Sequence, residues 1–177
     1  KLSSSSSRLV RCSSLGRLFD AVAFLLGVCE CNRHEAQAAM LLEAAAREHT
    51  GDAPALPYDI AEPEAGAPLE LDPRPMLCDI LASVGDPQSV RWLARSFHET
   101  VAAMLADAVQ RVAARTGLTR VVLSGGCFAN RLLTERIAHR LTAAGFELYT
   151  HRRVPPGDGG LSLGQAVVAA ELSGRTT

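Results

Sequence analysis

The sequence lacks the features that would tie it to a membrane, an oxidising compartment or a polyanion. No apolar run approaches the ~18–20 residues of a membrane helix. The longest, Leu18 to Val28, is broken by Asp20 and Gly27. The serine-rich start, Lys1 to Arg8, has no apolar core of signal-peptide length. Residues 1–10 therefore read as a flexible tail or truncation scar, and a cytoplasmic location is the expectation. Lysine is nearly absent: Lys1 is the only one among 18 basic residues. Those 18 face 19 acids, a formal charge of −1 over 177 residues, so no net basicity points to nucleic acid or a membrane surface. The five cysteines (Cys12, Cys29, Cys31, Cys78, Cys127) are odd in number and scattered, which does not suggest a secreted disulfide framework. Cys29-Glu30-Cys31 has no second Cys/His pair at zinc spacing. The five histidines form neither an HxxxH nor an HExxH pair, so no self-contained catalytic metal site is written here.

What is present has a clear order. Charge is split: residues 20–89 hold 13 acids and three bases, whereas 90–177 hold 11 bases and six acids. Apolar residues at 18, 19, 22, 25 and 26 give one helical stripe, and His34 to Glu48 gives a second. Residues 52–75 contain six of the nine prolines and are expected to be an exposed, irregular connector. Met76 to Val84 reads as a short helix. A long one follows from about Pro87, apolar at 90, 93, 97, 101, 105, 109 and 112, and stopped by Gly117. Arg120 to Leu123 has the composition of a buried strand. Ser124-Gly125-Gly126 follows it, then a helix over Phe128 to Ala144, a second strand over Phe146 to Thr150, and a last helix opened by Asp158-Gly159-Gly160. The second half is thus α/β with a parallel strand pair, although two strands are few for a sheet buried on both faces.

The two glycine turns are the strongest chemical signals. Two glycines between a strand and a helix let a phosphate approach backbone N–H groups, with the helix dipole assisting. The same turn can equally serve packing alone, and no Gly-Lys-Ser/Thr makes it a Walker A loop. Asp158 can cap the last helix or offer a carboxylate to a metal. Asp20, inside an apolar helix, can pair with Arg17 or face a ribose. Glu35 suits the first turn of a helix. His98 reads as a packed histidine. Cys127 follows the glycines where a thiolate is favoured, yet no His or Asp lies near it in sequence. Ser124 lacks the GxSxG setting of a hydrolase.

Three stretches resemble one family. Ser13-Ser14-Leu15-Gly16-Arg17-Leu18-Phe19-Asp20-Ala21-Val22-Ala23 is similar to its SSxGRLFDAVA motif. Val122 to Leu133 (VLSGGCFANRLL) is similar to LSGGVFQNRLL, and His151 to Ala166 (HRRVPPGDGGLSLGQA) to HRxVPPNDGGxxLGQA. These are marks of the HypF carbamoyltransferases of [NiFe]-hydrogenase maturation. The resemblance implies the C-terminal lobe of a Kae1-like domain of the ASKHA (actin/sugar kinase/Hsp70) superfamily, an α/β unit with long helices around a small sheet. It implies a helical part over 11–50, a proline-rich acidic connector over 51–75, and a nucleotide- and metal-binding α/β part over 76–177. It also implies that carbamoyl phosphate and ATP yield carbamoyl-adenylate, whose carbamoyl group passes to the C-terminal Cys of a partner, HypE, for the cyanide ligands of the hydrogenase.

By motif, Gly125 and Gly126 would lie near phosphate, Asp20 and Glu35 near the nucleoside, Asn130 would support the glycine loop, and Asp158 would bind a divalent metal (Mg, Fe or Zn). The family's acylphosphatase, zinc-finger and YrdC-like domains and its first Kae1-like lobe do not lie in these residues, so the isolated chain is expected to be inactive. Two departures stand out. Ala36 replaces the family's usual Gly, and Cys127 its usual Val, which weighs against Cys127 as a nucleophile. The alternatives are an antibiotic O-carbamoyltransferase, a tRNA threonylcarbamoyl-transfer enzyme, or a non-catalytic binding module.

Overall fold

A computed structural model describes residues 12–62, 67–85 and 89–174. The expected tail over residues 1–10 lies outside the described residues. Six helices and two small sheets follow one another: α1 (Leu15–Leu25), α2 (Gln37–Arg47), β1 (Asp59–Ala61), β2 (Glu70–Asp72), α3 (Arg74–Ser83), α4 (Ser89–Thr116), β3 (Arg120–Leu123), α5 (Arg131–Ala143), β4 (Glu147–Thr150) and α6 (Leu161–Gly174). Strands β3 and β4 pair in parallel, with Arg120 opposite Glu147 and Leu123 opposite Thr150. The α/β class and the long-helix architecture match the sequence pattern.

Helix α4 is the axis of the core. Its apolar stripe predicts burial on one face, but from Leu93 to Met104 nearly every residue is buried. Helices α1, α2, α3 and α5 surround it, and Phe19 packs edge-on against Phe97 with ring centroids 4.8 Å apart. This enclosure also buries polar side chains, and each needs a partner. Thr100 Oγ1 donates to the Ser96 carbonyl at 2.6 Å and accepts from Leu56 N–H at 2.8 Å. Glu99 is met by Arg136 at 2.6 Å, Arg140 at 3.2 Å and Arg95 at 3.3 Å, which pins α5 against α4.

The proline-rich segment is not irregular throughout. Strands β1 and β2 pair antiparallel, Ile60 opposite Leu71, and lie against α4. Buried Leu56 and three polar links hold the segment there. Tyr58 donates to Asp107 at 2.6 Å, Arg111 donates to the Ile60 carbonyl at 2.9 Å, and Arg115 pairs with Glu62. Burial and the Asp107 carboxylate push the Tyr58 hydroxyl up to about 12.

The expectation of a buried strand at 120–123 is corrected. Of β3 only Leu123 is buried, and Val122 is 66% exposed. Helix α6 buries no residue. These apolar surfaces have no covering layer among the described residues.

Candidate nucleotide-binding site

A cavity of about 990 Å³ lies between the start of α1, the α1–α2 turn, α2 and the turn Gly126–Ala129. It brings together Asp20, Glu35, Gly126 and Asn130, four of the six residues singled out from the sequence. Gly125 and Asp158 do not line it.

Asp20 is on the α1 face that meets the α1–α2 turn. One carboxylate oxygen accepts from Arg17 at 3.2 Å, the intrahelical pair the spacing allowed. The other accepts from Asn32 Nδ2 at 3.0 Å. Asn32 Oδ1 in turn accepts Ala38 N–H at 2.8 Å, near the start of α2. Asp20 is therefore oriented from two sides, and its remaining lone pairs can accept from a hydroxyl.

Glu35 is exposed on the turn that enters α2. It is followed by Ala36, whose φ of 59° is the only positive value at a non-glycine among the described residues. A left-handed backbone costs an L-residue roughly 1 kcal/mol that glycine avoids. That conformation explains why glycine is the usual residue here.

Asn130 is buried and caps α5, its Oδ1 accepting Leu133 N–H at 2.9 Å. Its Nδ2 therefore faces His98 Nε2, at 3.0 Å. His98 Nδ1 lies 2.7 Å from the Ala94 carbonyl, which can only accept, so Nδ1 carries the proton and Nε2 accepts from Asn130. Burial pushes the His98 pKa below its ordinary 6.5, which favours this neutral form. Asn130 N–H also bonds the Cys127 carbonyl at 3.1 Å, so the asparagine fixes the glycine turn to the core.

The two glycine turns meet. Gly125, with φ of 104°, donates its N–H to the Pro156 carbonyl at 2.8 Å, and His151 Nε2 lies 3.1 Å from Ser124 Oγ. Gly159 and Gly160 are packed close: a Cβ on Gly160 would fall 3.0 Å from the Pro155 carbonyl oxygen. Asp158 is exposed on that turn, and its carboxylate makes no hydrogen bond or ion pair among the described residues. No group of three or more His, Cys, Asp or Glu side chains among them could hold a metal ion. A metal bound here would need further donors from outside them. Cys127 is half-buried, and burial pushes its thiol up, against the thiolate that a helix start would favour.

Of the cavity residues not singled out from the sequence, two have side chains that link separate elements. Asn32 is one. Glu43 is the other, on the α2 face that carries Ala36, Ala39 and Met40 into the lining. The spacing of three to four residues is a signal that could have found Glu43. Asn32 had none, since its partner Asp20 is 12 residues away.

Chemically, the cavity has an acidic, amide-lined end suited to hydroxyls. At the other end is a backbone turn whose Gly126 and Cys127 N–H groups make no hydrogen bond among the described residues. Unbonded backbone N–H groups of this kind can receive the oxygens of an anion such as phosphate.

Comparison with known proteins identifies the family. A family model described as carbamoyltransferase, Kae1-like domain, second subdomain, matches residues 1–165. Carbamoyltransferase HypF2 of Cupriavidus necator is 36% identical over 182 residues, covering 90% of this chain and 22% of the relative. Carbamoyltransferase HypF of Rhizobium leguminosarum bv. viciae is 39% identical over 160 residues, covering 90% and 20%. A crystal structure of full-length HypF in the phosphate- and nucleotide-bound form superposes with a TM-score of 0.76 at 37% identity, covering 90% of this chain and 20% of that one. The chain thus spans about a fifth of the length of these relatives. By the family match, the cavity-bearing chain belongs to the HypF carbamoyltransferase family, as the second subdomain of its Kae1-like domain.

Proposed function

We propose that this chain is the nucleotide-holding second lobe of an ATP-dependent carbamoyltransferase of [NiFe]-hydrogenase maturation. The observation that carries the reading is the convergence of Asp20, Asn32, Glu35 and Gly126 on one cavity in a member of this family. The HypF crystal structure with phosphate and nucleotide supports it.

In this reading the cavity holds the carbamoyl-adenylate formed from carbamoyl phosphate and ATP. Asp20 and Glu35 accept from ribose hydroxyls, and the Gly126–Cys127 turn receives the phosphate oxygens. The C-terminal Cys thiolate of HypE attacks the carbamoyl carbon. A C–S bond forms, the bond to the phosphate oxygen breaks, and AMP leaves with that oxygen. The roles of this chain are binding and orientation, since no residue in the cavity is placed as a nucleophile. A divalent cation would be held by Asp158 together with donors from outside the described residues. The exposed β3 and α6 faces suit a lobe that works against a second protein surface.

The test is calorimetric titration of AMP and of ATP with Mg²⁺ into the chain. Asp20→Ala should weaken both about tenfold through the lost hydroxyl contact. Asp158→Ala should weaken only the metal-dependent binding of ATP. Equal affinity in wild type and both variants would refute this arrangement.

A further inference from the structure

The cavity contains one carboxylate that the nucleotide reading leaves without a role. Glu43 is 18% exposed and reaches from α2 to the start of α5. Its Oε1 accepts the Leu132 N–H at 3.0 Å, across 89 residues of chain, and the Arg47 Nε at 3.1 Å. The next N–H of that helix, Leu133, is taken by Asn130. Exposed first-turn N–H groups and the helix dipole make a 13-residue helix such as α5 attractive to an anion at its start. Here that end already holds an anion, supplied by the protein. The Gly126 and Cys127 N–H groups, by contrast, are open.

We propose that Glu43 is a specificity-determining residue of the cavity. Its carboxylate fills the anion-binding end of α5 and excludes phosphate from it, so that phosphate is received at the Gly126–Cys127 turn alone. A ligand with phosphate at one end and hydroxyls at the other is thereby held in one direction, hydroxyls toward Asp20 and phosphate toward the turn. The inference rests on the nucleotide reading for its ligand, but its electrostatic core concerns phosphate alone. Arg47 neutralises part of the Glu43 charge at the same oxygen that accepts from Leu132, and Asn130 also caps the helix start through Leu133 N–H.

The variant is Glu43→Gln. Its Oε1 can still accept from Leu132, so the link from α2 to α5 survives while the charge is removed. Inorganic phosphate, AMP and adenosine are titrated into the wild-type chain and the variant, and the Leu132 amide is followed by NMR. Phosphate and AMP should bind the variant about tenfold more tightly, and adenosine equally. Phosphate binding that appears only in the variant would overturn the part of the proposal that places phosphate at the Gly126–Cys127 turn.

The proposal is overturned if the Leu132 amide keeps its bond and phosphate affinity is unchanged or weaker, or if phosphate binds neither form. If the variant does not fold, the same titration is run in an Ala36→Gly background, where the relieved backbone offsets the loss. Failure of adenosine and AMP to bind the wild type would instead count against the nucleotide reading, with the phosphate series still deciding the role of Glu43.

Discussion

Apolar residues around α4 and those on β3, β4 and α6 have opposite fates. Around α4, helices α1, α2 and α5 bury Phe19, Leu42, Phe97 and Leu133 almost completely, and the buried Thr100, His98 and Asn130 side chains are hydrogen-bonded, whereas the buried Ser96 hydroxyl has no partner among the described residues. At the other end, Val122 on β3 and Tyr149 on β4 are exposed, as are Leu161, Val167, Val168 and Leu172 on α6. Sequence hydrophobicity says that a surface is to be covered; it does not say which chain supplies the cover. The first end has a packed core, although Phe24 on α1 and Met40 on α2 stay exposed. The second has no covering layer among the described residues.

Substitution should expose this difference. Phe97→Ala removes a fully buried ring at the α1–α4 contact, and about 3–5 kcal/mol of stability should be lost in urea denaturation. If it costs no more than a surface change, the core is not where the structure puts it.

Acid should act next, through His98. Burial lowers its pKa in the folded state, so the unfolded chain takes up a proton first as pH falls. Stability is full above the ordinary value of 6.5 and declines below it, by about 1.4 kcal/mol for each unit of pH in that window. The neighbouring Glu43 and Glu99 pull the pKa up and Arg95 pulls it down, without reversing the direction. A His98→Gln variant should show a flatter pH dependence between 6.5 and 5, measured by the same denaturation series.

Ala36→Gly should raise stability by about 0.5–1 kcal/mol, because the left-handed backbone no longer carries a Cβ. A fall in the denaturation midpoint would contradict that assignment. Val168→Ser should change stability by less than about 0.5 kcal/mol while reducing self-association in sedimentation. A large destabilisation there would mean that α6 is packed, and the contrast between the two ends would fail.

Much of this was legible in the sequence because it is local. The stripe from Val90 to Val112 marks α4, the Gly117 stop is where it belongs, and both glycine turns follow strands that pair in parallel. The motif containing Ala36 differs from the usual glycine, and the structure supplies the reason in a φ of 59°. What was illegible is non-local. The β1–β2 hairpin has strands of three residues, too short to show alternation, and it is held on α4 by Thr100 and Asp107, more than 40 residues away. The bond between His98 and Asn130 spans 32 residues and that between Glu43 and Leu132 spans 89, so neither leaves a trace in spacing. The exposure of β3 was hidden because Val-Val-Leu reads the same whether the covering layer is in the chain or outside it.

In the proposed function, the cavity between α1, α2 and the Gly126 turn receives a nucleotide. The most direct measurement is backbone NMR of the chain titrated with AMP. Saturable shifts are expected at Asn32, Glu35, Gly126, Cys127 and Asn130, with α6 and the β1–β2 hairpin unmoved. Saturable shifts confined to other surfaces, or none at millimolar AMP, would contradict it.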